Sequence, residues 1–367
     1  MAAVGSARAY PTVGSSYANT APHYRRSLRR MGLTATVTLF ATMLLTVYLM
    51  PFGYMVVTSF KDRDQIVASA TGPVLPVEPR TVDVGGRQVP VYRVPLDGEV
   101  RELALVRPGR RESVFVDPAD PAGAEVTWEG AWRTLKPAYV FAPRTGNFAE
   151  VWRGIDFPRL LFNTAFIAFT GMVGTVVSCV MVAYAFARFP LPFKGALFLV
   201  LIATIVLPKQ VLLVPTYAFF HAIGWTGTWL PLIVPHFFAN AYNVFLLRQY
   251  FMQLPPELDE AAMIDGAGPL RVLTSVVVPQ SYPVIAAVAL FHVVFAWNDY
   301  FEPLLYTLGR PELQPLSVGI QQYNFIYSQQ PHLLQATALL GMIVPVALFL
   351  LTQRSFMRGI VITGVEK

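Results

Sequence analysis

What this chain has little of is charge. Lys, Arg, Asp and Glu make up 14% of its 367 residues, against roughly a quarter in water-soluble globular proteins, while hydrophobic residues reach 54% and the mean hydropathy is +0.48. So little charge cannot wet the surface of a soluble protein of this length, and the same composition excludes disorder, collagen and coiled coil. Cysteine is almost absent too. Cys179 alone rules out a disulfide framework and a cysteine-based zinc site. No G-x-x-x-x-G-K-[ST] loop occurs, so ATP is not bound by that route, and G-x-S-x-G and H-E-x-x-H are both missing. The formal charge of +6 is not a nucleic-acid signature, because the basic residues stand at the edges of apolar runs instead of gathering on one polar segment.

A bilayer core about 30 Å thick needs about 20 mostly apolar residues as a helix. Six runs meet this: about 33–60, 160–187, 196–220, 229–250, 279–306 and 333–353, the third interrupted by Pro208, Lys209 and Pro215. Arg25 to Arg30 followed by an apolar stretch looks like a signal peptide, but the stretch far exceeds a signal core and no clean small-x-small site follows; it reads as a retained first span. Twelve Lys or Arg fall in the N-terminal tail, the 188–195 loop, the loop after the fourth run counted with Arg248, and the C-terminal tail, whereas the short loops 221–228 and 307–332 hold only Arg310. Both termini and the 251–278 loop are therefore expected on the cytoplasmic side. The expected organisation is a basic cytoplasmic tail 1–30, a first transmembrane helix 31–60, an extracytoplasmic insert 61–159, transmembrane helices two to six over 160–353, and a cytoplasmic tail 354–367.

The insert carries 14 of the chain's 22 acidic residues and 14 basic ones. Its middle alternates in a strand-like way. Thr81 to Val84, then Gly85 and Gly86, then Gln88 to Val94 predict a hairpin on a Gly-Gly turn. Glu102 to Val106, a turn at Pro108 and Gly109, and Ser113 to Val116 predict a second, with further strands at 126–128 and 139–141. A small all-β unit over about 72–142 is expected, its prolines pointing to short edge-like strands. Trp128 and Trp132 fit either carbohydrate or partner binding, or simple packing.

The most specific pattern lies between the fourth and fifth runs. Pro255 and Pro256 open it, and Glu257, Asp259 and Glu260 fall in a first helical turn, where carboxylates complement the helix dipole. Glu260 to Ile264 continue a short helix, and Gly266 and Gly268 end it. Ile264, Leu270, Val272 and Leu273 would be wastefully exposed unless something covers them. Glu260, Ala261 and Ala262, followed after a short gap by Asp265, Gly266 and Ala267 and later by Pro279, resemble the "EAA" loop of bacterial ABC importer permeases. More narrowly they resemble the sugar-importer permease of the maltose-transporter type. Thr58 to Lys61, Asn147 and Phe148 with Val151 and Trp152, Asn163 and Thr164, Phe295 to Leu304, and the tail with Arg358 and Gly359 are similar to that family too. The resemblance covers about 31–68 and 140–367; residues 69–139 depart from it as an insertion.

The resemblance implies an all-α polytopic fold of six transmembrane helices that binds no cofactor itself. ATP and Mg would be used by two copies of a separate ATPase subunit. Further implied partners are a second permease subunit that is a different chain, an extracytoplasmic solute-binding protein and membrane lipid. The EAA helix would seat in a cleft of the ATPase, with Glu260 as its charged contact and Gly266 as the hinge. The implied location is the bacterial inner membrane and the implied cargo a sugar or related polyol.

Other residues leave two readings open. Lys209, inside the third run, either touches polar cargo in the translocation path together with Gln210, or snorkels to the interface. Asn298 and Asp299 either line the path or bond a neighbouring helix end. His236 and His292 read as lone packed histidines, with no ligand set spaced for a metal. Gly171, Gly174, Thr175 and Ser178 form a small-residue stripe that predicts close helix packing. Two alternative functions are an intramembrane enzyme using His292 with Asp299, and a membrane-anchored receptor whose β unit does the binding.

Overall fold

The computed structural model describes residues 22–68, 73–96, 98–325 and 328–361. The parts of the two expected tails at 1–21 and 362–367 lie outside the described residues. The chain divides into two compact units, one ending at Tyr54 and the other starting at Met55.

The described part of the first unit is the helix α1 (Pro22–Ser59), which continues into the second unit. It begins well before the expected start at 31, because arginine is a good helix former and nothing between 22 and 31 breaks the helix. Residues 31–54 are exposed on every side although apolar, the character of a lipid- or partner-facing helix. Thr36 and Thr46 donate their hydroxyls back to Gly32 O and Thr42 O, so neither carries a free donor into that surface.

The second unit opens with α2 (Arg63–Ala68) and then eight strands: β1 (Val77–Pro79), β2 (Thr81–Val84), β3 (Arg87–Leu96), β4 (Glu99–Arg107), β5 (Glu112–Val116), β6 (Val126–Glu129), β7 (Lys136–Pro137) and β8 (Tyr139–Phe141). Strands β2 to β6 pair antiparallel in chain order, and β7 adds to β3 beside Tyr92 and Arg93. The β2–β3 turn has Gly85 at φ 62° and Gly86 at φ 82°, the two positive values that the tight hairpin turn matching strand twist requires. One side of the sheet buries Val91, Ala104, Val116 and Ala138, and another cluster buries Val94, Leu103, Leu105 and Phe115. Trp128 and Trp132 pack on that second cluster, edge-on to Phe115 and Tyr92, so both rings are engaged in the unit's own interior. Strand β1 pairs with β8, Val77 opposite Phe141, and the chain therefore enters and leaves this region side by side.

Helices follow: α3 (Gly146–Gly154), α4 (Phe157–Arg188), α5 (Lys194–Ala203), α6 (Lys209–Ala222), α7 (Leu230–Ile233), α8 (Ala241–Phe251), α9 (Glu257–Ile264), α10 (Pro269–Val272), a π-helical stretch Leu273–Val277, α11 (Val278–Gln280), α12 (Tyr282–Asn298), α13 (Phe301–Tyr306) and α14 (Leu316–Gly319). The two-residue strands β9 (Asn324–Phe325) and β10 (Ser328–Gln329) then precede α15 (Pro331–Val361). Among the described residues, four helical segments are long and apolar enough to cross a bilayer: Met31–Ser59, Phe157–Arg188, Leu230–Phe251 and Pro331–Gln353. Two bent pairs raise that to six if each is one span.

The bends are where the straight runs expected from sequence differ from the structure. The third run turns by 100° between 206 and 209, since the residue before a proline is pushed out of the helical region and Leu207 and Pro208 are both extended. The fifth run is cut at Ser281, with a bend of 84°, and again at Asp299 and Tyr300. α4 is the spine. It packs on α8 and α12 through Cys179, Val180, Ala183 and Tyr184, with Val244, Leu247 and Phe251 opposite. A side-chain Cβ at Gly171 would lie 2.7 Å from His292 Nε2, and one at Gly174 would lie 2.6 Å from Phe237 Cδ2, so the small-residue stripe marks close approach.

Asparagine amides close the irregular segments. Asn147 Nδ2 donates to Ser59 O and Lys61 O, both at 2.8 Å, and Asn163 Nδ2 donates to Glu312 O and Gln314 O at 2.9 and 2.8 Å. Thr164 Oγ1 accepts from Leu316 N at 2.8 Å. Lys61 is itself buried, its ammonium donating to Pro73 O, and burial lowers its pKa. Replacing Asn163 by Ala removes both donors at once. The expected cost is about 2–4 kcal/mol, read as a lower thermal midpoint in detergent, whereas Asn324→Ala at an exposed site leaves the midpoint unchanged.

Candidate functional site

The 251–278 segment is built around α9. Its first turn holds Glu257, Asp259 and Glu260, and Pro256 O accepts from the amides of Asp259 and Glu260. Its end is a Schellman motif. Gly266 N donates to Met263 O and Ala267 N donates to Ala262 O, at 3.0 and 2.9 Å, with Gly266 at φ 81°. The spacing between the Glu-Ala-Ala and Asp-Gly-Ala triplets is thus the spacing of a helix and its stop.

α9 has two faces. Ala262 and Ala267 pack against the core cluster formed by α4, α8 and the 272–277 segment. Asp259, one turn before Ala262, points the same way and is only 4% exposed. It forms an ion pair with Arg188, the last residue of α4, at 2.6 Å, and Arg188 Nη2 also donates to Leu254 O at 3.0 Å. Glu260, Ala261, Met263, Ile264 and Asp265 face outward, with Ile264 87% exposed. The six residues proposed from sequence therefore separate into Glu260, Ala261 and Asp265 outside, Ala262 and Ala267 inside, and Gly266 at the turn. Sequence reasoning placed Asp259 in the first turn for the helix dipole and missed its inward pairing with Arg188. Its position three before Ala262, on the face of the small residues, was the available signal. The expectation for the apolar residues is corrected in part: Val272 and Leu273 are buried in the chain's own core, and only Ile264 and Leu270 stay exposed.

A second locus gathers at the helix breaks. Lys209, first residue of α6 after the bend, is exposed, and its Nζ lies 3.7 Å from the centroid of the Phe295 ring on α12. That is a cation–π contact. Phe295 stands one turn before Asn298 at the end of α12. Asn298 Nδ2 donates back to Val294 O at 2.8 Å, and the Asp299 carbonyl accepts from Ser317 Oγ at 2.6 Å. Gln210 is exposed. The two histidines read as lone residues are in fact a pair: the His236 and His292 rings lie perpendicular with centroids 4.5 Å apart. The fourth and fifth runs, far apart in sequence, are brought together there by α4. His292 Nδ1 pairs with Thr175 Oγ1 at 2.9 Å, not with Asp299. Among the described residues no three His, Cys, Asp or Glu side chains gather as a metal site.

Comparison with known proteins gives a family match over residues 174–361, to the model described as binding-protein-dependent transport system inner membrane component. The chain is 29% identical over 278 residues to the osmoprotective compounds uptake permease protein GgtD of Synechocystis sp., covering 75% of this chain and 92% of that one. It is 35% identical over 212 residues to the sn-glycerol-3-phosphate transport system permease protein UgpE of Rhizobium meliloti, covering 57% and 74%. Among solved structures, a bacterial ABC transporter involved in the import of the acidic polysaccharide alginate matches with a TM-score of 0.62 at 18% identity, over 91% of this chain and 99% of that one; this likeness concerns the fold.

The two faces of α9 can be read chemically. In the purified chain, a thiol introduced as Ile264→Cys is expected to react with a maleimide roughly tenfold faster than one introduced as Ala262→Cys. Cys179, buried, supplies no background. Equal rates would mean that the helix is not seated as described.

Proposed function

The chain belongs to the family of binding-protein-dependent transport system inner membrane components, and from that premise we propose that it forms half of the translocation pore of an ATP-driven importer for a sugar or related polyol. It is a permease subunit of the bacterial inner membrane, not an enzyme. The proposal adds six spans with both termini in the cytoplasm, each bent pair counting as one span. It also takes the β-rich region between β1 and β8 as an extracytoplasmic insertion, which its adjoining entry and exit would accommodate without disturbing the helices. The cargo class is supported by relatives named for osmoprotective compounds and for sn-glycerol-3-phosphate.

The observation that carries the mechanism is the two-faced helix α9. Its inner face is tied to the bundle, and its outer face offers Glu260, a half-exposed Met263 and an Ile264 left bare by the described residues. Adjacent exposed apolar side chains, Met263 and Ile264, beside the outward charge of Glu260 suit a helix that docks on a partner. The partner is two copies of a cytoplasmic ATPase subunit, which bind ATP and Mg. A second permease subunit completes the pore and a solute-binding protein delivers cargo. Closure of the ATPase pair on ATP draws the docked helices together, and the spans rock between inward- and outward-facing states. Glu260 supplies the charged contact, Ala261 and Asp265 border it, Ala262 and Ala267 seat the helix, and Gly266 allows its end to turn. Lys209, Gln210, Asn298 and Asp299 line the path at the breaks in the third and fifth spans, where a bent helix frees polar groups for cargo.

Glu260→Ala removes the outward charge, and Gly266→Pro forces φ near −65° where the motif needs a positive value. Both are expected to reduce uptake by cells to background while the protein still inserts, as membrane immunoblots would report. Wild-type uptake at wild-type abundance refutes the coupling role.

A further inference from the structure

α9 is eight residues long, too short to hold itself in water. Something must transfer any force applied to it. Ala262 on its inward face, and Ala267 just past its end, offer apolar packing without direction. The remaining inward group is Asp259, whose side chain is 6% exposed and lies against the 16%-exposed guanidinium of Arg188. Arg188 holds both sides of the junction. Its charge pairs with Asp259 in the first turn of α9, and its Nη2 makes a directed bond to Leu254 O, three residues before that helix begins. Tyr184, one turn back on α4, is buried in the same core as Ala262 and Ala267. No other ion pair formed among the described residues links α9 to a long helix.

Arg188 ends a helix of 32 residues, about 48 Å long at 1.5 Å per residue. Along that rod, Thr175 holds His292 of α12, and near its far end Asn163 and Thr164 hold the 312–316 loop. A displacement of α9 therefore has a charged and directed route into α4, beside its apolar packing on the 272–277 segment, and that route begins at this ion pair.

We propose that Arg188 and Asp259 are a positioning pair that transmits motion of the docked helix to α4, so that breaking it uncouples ATP hydrolysis from transport without detaching the ATPase. This rests on the coupling reading above. Glu260 on the outer face engages the partner; Asp259 on the inner face delivers the stroke. A guanidinium suits the task because its planar fork can meet a carboxylate and a carbonyl at once, which an ammonium cannot do with the same geometry.

The test is the complete transporter in proteoliposomes, with this chain, its partner permease, its ATPase and its binding protein. Asp259→Asn is nearly isosteric and removes the charge. The ratio of cargo moved to ATP hydrolysed should fall about tenfold or more, within the span of measured couplings between sites, while ATPase co-purification stays at the wild-type level. Asp259→Glu should recover part of the ratio. The double variant Arg188→Met with Asp259→Leu replaces the pair by apolar groups, which buried ion pairs commonly tolerate without loss of stability. It should assemble and still be uncoupled, and it decides the matter if Asp259→Asn fails to assemble. A wild-type transport ratio in Asp259→Asn or in the double variant overturns the proposal while the coupling reading stands. If the wild-type chain binds no ATPase, or Glu260→Ala transports normally, the coupling reading fails and takes this one with it.

Discussion

A chain that crosses lipid must satisfy its backbone polar groups from within, because no water is available to do so. Straight helices meet that constraint automatically. This chain departs from straight helices at Pro208, between Phe238 and Asn240, at Ser281 and at Asp299, and side chains bond the backbone at Asn240, at Asp299 and in the 312–316 loop. Asn163 supplies two hydrogens to the 312–314 carbonyls, and Trp229 Nε1 adds one to Leu313 O at 2.8 Å. Asn240 Oδ1 caps α8 by accepting from Asn243 N, and Trp297 Nε1 bonds Gly341 O across to α15. Asn163, Trp229 and Trp297 reach across to other segments of the bundle, while the Asn240 bond is a local cap.

The same logic governs charge. Exposed pairs such as Arg80 with Glu102 contribute little, since water screens them and long side chains lose freedom to form them. The Arg188–Asp259 pair differs by being enclosed: separating its members would leave one charge buried without its partner, a far larger penalty. A short helix that its own sequence could not stabilise is thereby given a fixed seat. Its outer face can then carry Ile264, which the described residues leave exposed.

The β-rich region obeys a different economy. Its sheet is wet at the edges and closed by two small apolar clusters, and both tryptophans that could have served as sugar platforms are used to fill one of them. The β1–β8 clasp makes the region a self-contained excursion from the helical chain.

By itself the sequence determined where apolar helices run, because hydropathy over 20 residues reflects a transfer free energy that tertiary contacts rarely reverse. It also determined the turn at Gly85 and Gly86, where positive φ leaves few alternatives, and the short acidic helix ending at Gly266, whose cap is a property of neighbouring residues. Tertiary structure alone decided the rest. The partners of Asn163, the meeting of His236 with His292, the seat of Lys209 on Phe295 and the pairing of Asp259 with Arg188 each join residues from separate helices. Such contacts depend on how helices rotate and approach, a choice set by close packing at Gly171 and Gly174 and by bends whose angles hydropathy does not encode.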